Sequence, residues 1–167
     1  RIGMAVYVLP LTNPLRVAEE SASVDQMSGG RLDFGIGRSG FARQYKIYNI
    51  DYSESQARFE EAVTVLRKAW SGEKFSYEGE FFQVTDAQLV PVPVQRPHPP
   101  MRIAASSPGT FNKVAAEGLP LFVGLRGDGL EELKGNIQIY RKTWNEMGHA
   151  DDSSVFLRVP VYAAATK

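Results

Sequence analysis

The residues best suited to chemistry lie in Gly30-Arg31-Leu32-Asp33-Phe34-Gly35-Ile36-Gly37-Arg38-Ser39-Gly40. Leu32 to Ile36 is an apolar run of strand length, and it empties into a loop of small residues holding Arg38. In an α/β protein such a loop makes an anion site. Glycines let the backbone approach a ligand, and arginine supplies a permanent charge with a planar fork of donors.

Gly35, Gly37 and Gly40 also spell G-x-G-x-x-G, the dinucleotide fingerprint. That fingerprint needs a helix opening at its third glycine and an acidic residue closing the next strand about 20 residues on. Phe41 to Tyr52 has no helical period, and Glu54 falls at the start of a helix beginning near Ser53. A Rossmann site is therefore set aside.

The elements around this loop alternate. Ile2 to Leu9 is nearly all apolar, as a strand buried on both faces would be. Asn13 and Pro14 read as N-cap and first residue of a helix running to Met27, closed by Ser28-Gly29-Gly30. With Leu32 to Ile36 this gives one right-handed βαβ unit. Ser53 and Gln56 have capping-box spacing for the strongest helix, with a stripe of Phe59, Ala62, Val63, Leu66, Ala69 and Trp70. Residues 74 to 84 read as a β-hairpin around Glu78-Gly79-Glu80, followed by an extended stretch rich in proline. Met101 to Ala105, Leu119 to Leu125 and Val155 to Ala164 are further strands. Ser106-Ser107-Pro108 starts one intervening helix, and Asp128 with Glu131 has cap spacing for the other. Five strands alternating with four helices predict a parallel sheet covered by helices.

With 167 residues the sequence reads as one domain, 1–167. It opens at Arg1 directly into a strand, so it is expected to be a piece of a longer protein. Lys plus Arg and Asp plus Glu number 19 each, which gives no field for nucleic acid or membrane. There is no cysteine, hence no disulfide, thiolate metal site or cysteine nucleophile, as suits a cytoplasmic protein. No run approaches the roughly 20 apolar residues of a membrane helix. No metal ligand set and no catalytic side-chain constellation is visible. His98 reads as a turn residue and His149 as a helix-end residue, and Glu60-Glu61 and Glu131-Glu132 read as solvated helix faces.

Several segments resemble the bacterial luciferase-like, flavin-dependent monooxygenase family. They are Pro10 to Glu20, Ser28 to Arg38, Arg58-Phe59-Glu60-Glu61-Ala62, Tyr77-Glu78-Gly79-Glu80-Phe81, Pro91 to Pro100 and Ala115 to Pro120. Order and spacing agree over residues 1 to about 125. The resemblance implies a TIM-type (β/α)8 barrel of which this chain supplies roughly strands four to eight, with the β-hairpin as an insertion. It implies reduced FMN at the barrel's C-terminal mouth. On this sequence the phosphate contacts become Arg38 and Ser106, with Gly37, Ser39 and Ser107 as neighbours and Tyr45 as a further flavin contact. Gly37 stands where luciferase has a cysteine, and Thr12 where relatives commonly have a histidine. The implied reaction oxidises a small organic substrate with O2, a separate flavin reductase supplying the reduced flavin, and needs no side-chain nucleophile. Two other readings stand beside it: an F420-dependent hydride-transfer enzyme, and a non-catalytic flavin-binding fragment. Unpaired strand edges in a partial barrel would favour a homo-oligomer.

Overall fold

The computed structural model describes residues 1–125, 129–149, 153–159 and 161–164. They form two compact units, Arg1–Met101 and Arg102–Lys167, taken here in turn.

The first unit is built on β1 (Ile2–Val8) and β2 (Leu32–Gly37), paired in parallel from Ile2 against Leu32 to Val8 against Gly37. Their connection is α1 (Pro14–Ser28). Asn13 caps it, its side chain accepting from the Leu15 N–H at 2.9 Å, and Gly29 ends it at φ 64°. That left-handed turn suits glycine. β2 is buried at five of six positions. β1 departs from expectation: Ile2 and Met4 are 43% and 44% exposed, because β1 is an outer strand of the sheet.

After β2 the chain forms α2 (Ala42–Ile47) and then α3 (Ser55–Trp70). Helix α2 corrects the expectation of irregular chain after Phe41. One six-residue helix is too short to display a 3.6-residue period, so the sequence hides it. The dinucleotide reading still fails, since Glu54 lies in a 3-10 turn ahead of α3 and not at a strand end. The cap of this region is Asp51, not Ser53. Asp51 Oδ1 accepts from both the N–H and the hydroxyl of Ser53 at 2.8 Å, which lowers its pKa below the usual carboxylate value. The buried stripe of α3 includes Val65, while Val63 is only half-buried. At its end Trp70 is fully buried, edge-on to Phe34, and donates its indole N–H to Ser21 Oγ at 3.2 Å.

β3 (Phe75–Glu78) and β4 (Gln83–Ala87) form the expected hairpin. Its turn is held by Glu61, whose carboxylate accepts from the N–H groups of Glu80, Phe81 and Phe82 at 2.8–3.1 Å. Glu61 is therefore an anchor and not the solvated charge the sequence suggested. Charge-assisted bonds contribute about 1.5–3 kcal/mol each, and these are partly exposed to water. Glu61→Ala should thus lower stability by about 2 kcal/mol in urea unfolding, with Glu61→Gln recovering part. Equal midpoints for Glu61→Ala and wild type would refute this anchoring. The proline-rich stretch is tied down by Asp25, which is 0% exposed and accepts from the N–H groups of Val94 and Gln95 at 2.8 and 2.9 Å.

In the second unit β5 (Met101–Ala104, its first residue in the first unit), β6 (Leu121–Gly124) and β7 (Val155–Arg158) are parallel neighbours. β7 stops at Arg158, short of the expected Ala164. Their covering helices are α4 (Pro108–Ala116) and α5 (Leu130–Glu146). The core comprises Ile103, Leu121 and Val123 from the strands, with Phe111, Val114, Tyr140 and Trp144 from the helices. Tyr140 donates its hydroxyl to the Leu119 carbonyl at 3.0 Å, and His149 packs on the Trp144 ring. The N-cap of α4 is Ser107, and that of α5 is Gly129. Asp128, the expected cap, lies outside the described residues.

Candidate functional site

In the first unit the loop leaving the carboxyl end of β2 gathers Arg38, Ser39 and Tyr45 with two residues the sequence reading missed, Tyr52 and Ser55. Gly37 is the buried last residue of β2. Arg38 is half-buried and donates from Nη1 to Ser55 Oγ at 2.8 Å, and its guanidinium carbon lies 5.5 Å from the Tyr52 ring centroid. Among the described residues no carboxylate pairs with it. The guanidinium is thus aimed by a hydroxyl and a ring face while its charge stays uncompensated. That is how an arginine waits for an anion.

The backbone beneath it is equally fixed. Tyr45, 0% exposed, donates its hydroxyl to the Arg38 carbonyl, and its ring meets Tyr52 edge-on at 5.2 Å. Burial raises the phenol's pKa, so it remains a donor at neutral pH. Ser39 adopts φ 65°; its hydroxyl donates to Gln44 Oε1 at 2.6 Å and accepts from the Phe41 N–H at 3.2 Å. Ser39 and Tyr45 hold the loop's shape. A side chain at Gly40 would meet nothing, so the loop is open there.

In the second unit the loop leaving β5 carries Ser106 and Ser107, both exposed. Ser107 Oγ pairs with Thr110 Oγ1 at 2.9 Å in the first turn of α4. Ser106, just ahead of the Ser107 cap, lines a cleft. Ala105, Ser106 and Phe111 form one side, Gly124 closes the end of β6, and Gly129, Glu132, Leu133 and Asn136 come from the start of α5. The room in it is about 50 Å³. Ser55 could be suspected from sequence only as a small polar residue at the start of a helix, and Asn136 carried no signal at all.

Among the described residues no cluster of His, Cys, Asp or Glu is arranged to hold a metal, and no helix is long and apolar enough to cross a membrane.

Parallel strands connected by helices, with loops leaving their carboxyl ends, define an α/β protein of the class that places ligands at those ends. The chain belongs to the luciferase-like monooxygenase family, whose model matches residues 1–167. It is 30% identical to the oxygenase component of a flavin-dependent trigonelline monooxygenase of Acinetobacter baylyi, over 81% of this chain and 39% of that protein. Among solved structures it is similar to monooxygenase RslO1 of Streptomyces bottropensis, with a TM-score of 0.84 and 27% identity over 94% of this chain and 48% of that one. It shares its fold with an F420-dependent secondary alcohol dehydrogenase, with a TM-score of 0.77 and 21% identity over 95% of this chain and 48% of that one. The chain thus has the fold of part of a luciferase-like barrel, and it spans between about two fifths and half of the length of these relatives.

Proposed function

We propose that this chain carries the flavin-phosphate-holding part of a monooxygenase that uses reduced FMN and O2 to oxidise a small organic substrate. The observation that carries the reading is Arg38, positioned by Ser55 and Tyr52 at the carboxyl end of β2 with its charge uncompensated. In this reading Arg38 holds the phosphate, Ser39 and Tyr45 fix the loop, Gly37 gives the backbone room, and Ser106 with Ser107 offers hydroxyls from the loop after β5. Bound flavin would supply the oxygen chemistry, so the side chains need only bind, orient and exclude water. A flavin reductase is the expected partner, in keeping with a relative named as an oxygenase component. A homo-oligomer and a cytoplasmic location complete the proposal.

FMN is preferred to F420 because the flavin-dependent relative is 30% identical, whereas likeness to the F420 enzyme at 21% identity speaks for fold alone. Anaerobic titration of the chain with reduced FMN, followed by admission of O2, tests the reading. Saturable binding with accelerated oxygen uptake is expected. Binding without faster uptake would leave a non-catalytic flavin-binding part, and binding of F420 in place of FMN would favour hydride transfer.

A further inference from the structure

We propose that Arg158 recognises a carboxylate on the organic substrate, so that the substrate class of this protein is small organic acids with one negative charge and an apolar body. This names the substrate within the flavin reading and rests on that reading.

All the residues concerned belong to the second unit. The register sets Ala104 beside Phe122, Phe122 beside Phe156, and Gly124 beside Arg158. Side chains alternate along a strand, so Ile103, Leu121 and Val123 enter the buried core while Arg102, Ala104, Phe122, Gly124, Phe156 and Arg158 share the opposite face. The three strands carry two arginines and no acid. These two cations differ in state. Arg102, near the amino end of β5, is stacked with its guanidinium carbon 3.4 Å from the Phe156 ring centroid, and it is engaged further. Arg158 ends β7, and among the described residues its side chain makes no hydrogen bond, ion pair or ring contact. Although exposed, it lies over the sheet. A methyl group on Gly124 would stand 3.8 Å from its Nη2 and 3.9 Å from its Nε, so the fork is laid across the end of β6. An unpaired arginine is thus held at the carboxyl ends of parallel strands, where α/β proteins place their ligands.

The ligand's chemistry follows from the neighbours. A planar fork matches a carboxylate through two parallel charge-assisted bonds. Ala104 and Gly124 leave room on the same face, and half-buried Phe122 between them in the register offers an apolar surface to the rest of the molecule. One free cation balances one negative charge. Glu132 is exposed at the cleft that Gly124 borders, forms no ion pair with Arg158, and disfavours a second negative charge there. A monocarboxylate therefore fits this place better than a phosphate ester, which carries a charge nearer two at neutral pH.

The test titrates the full chain with benzoate, its neutral counterpart benzamide, FMN and riboflavin. Benzoate should shift the NMR signal of the Arg158 Nε–H, and benzamide at the same concentration should not. Arg158→Gln, polar but uncharged, should weaken benzoate at least about tenfold, and Arg158→Lys should recover part of the loss. Equal binding of benzoate and benzamide by the wild type overturns the inference without recourse to any variant. Displacement of benzoate by FMN but not by riboflavin overturns it too, because Arg158 would then serve the flavin's phosphate. If FMN binds and benzoate does not, the substrate class falls while the flavin reading stands. If benzoate binds through Arg158 while neither flavin binds, the flavin reading falls and the carboxylate site stands.

Discussion

Replacing Arg38 with alanine should weaken FMN binding by about 10- to 150-fold, the range of one charge-assisted hydrogen bond worth roughly 1.5–3 kcal/mol. The arginine offers parallel donors from a planar fork, and it remains charged at any working pH. Arg38→Lys should recover only part of the loss, because an ammonium is a point charge and cannot reproduce the fork. The local geometry adds a second variant. Arg38 Nη1 donates to Ser55 Oγ, and Ser55 is 1% exposed, so Ser55→Ala should leave the charge but release its aim. That variant is expected to fall between wild type and Arg38→Ala. Riboflavin lacks the phosphate, and all four proteins should bind it equally. Equilibrium titration of both flavins decides the matter. If Arg38→Ala lost riboflavin affinity as fully as FMN affinity, Arg38 would be supporting the loop or the ring system, and its phosphate role would be wrong.

What the sequence made legible were features written in consecutive residues. Apolar runs of strand length marked the five parallel strands. Glycine and proline punctuation marked the ends of α1 and the hairpin. The Arg38 loop stood out because a buried run ends in small residues around one cation. Features that depend on distant chain were not legible. Ser55 looked like an ordinary helix residue, and only the fold brings its hydroxyl 2.8 Å from Arg38. Glu61 looked solvated until the hairpin turn returned to its carboxylate. Asn136 sits on a helix whose stripe of apolar residues concealed it. Helix α2 failed for a local reason, being shorter than two helical turns.

Asp25 supplies the largest expected effect on stability. Each of its oxygens is claimed twice. Oδ2 accepts from the N–H groups of Val94 and Gln95 at 2.8 and 2.9 Å, and Oδ1 accepts from Gln95 Nε2 at 2.7 Å and, more weakly, from the Leu32 N–H at 3.4 Å. The group is fully buried, so no water replaces it if it is removed. Gln95 Nε2 also donates to the Leu32 carbonyl at 2.7 Å, and Gln26 Nε2 to the Val92 carbonyl at 2.7 Å, so the whole segment from Val92 to Gln95 hangs on this end of α1. Asp25→Ala strands several donors at once, and the loss should be about 3–5 kcal/mol, the range for breaking a buried charged network. For a chain of this size that corresponds to a fall in Tm of roughly 6–20 °C. Asp25→Asn is the discriminating variant. Whichever way its amide turns, the NH2 group faces donors where an oxygen stood, so it should rescue little of the loss. Urea unfolding followed by tryptophan fluorescence reports directly, since Trp70 is buried in the same unit. An Asp25→Asn protein within about 1 kcal/mol of wild type would mean that the segment is held by its prolines and apolar contacts, and that the carboxylate is dispensable.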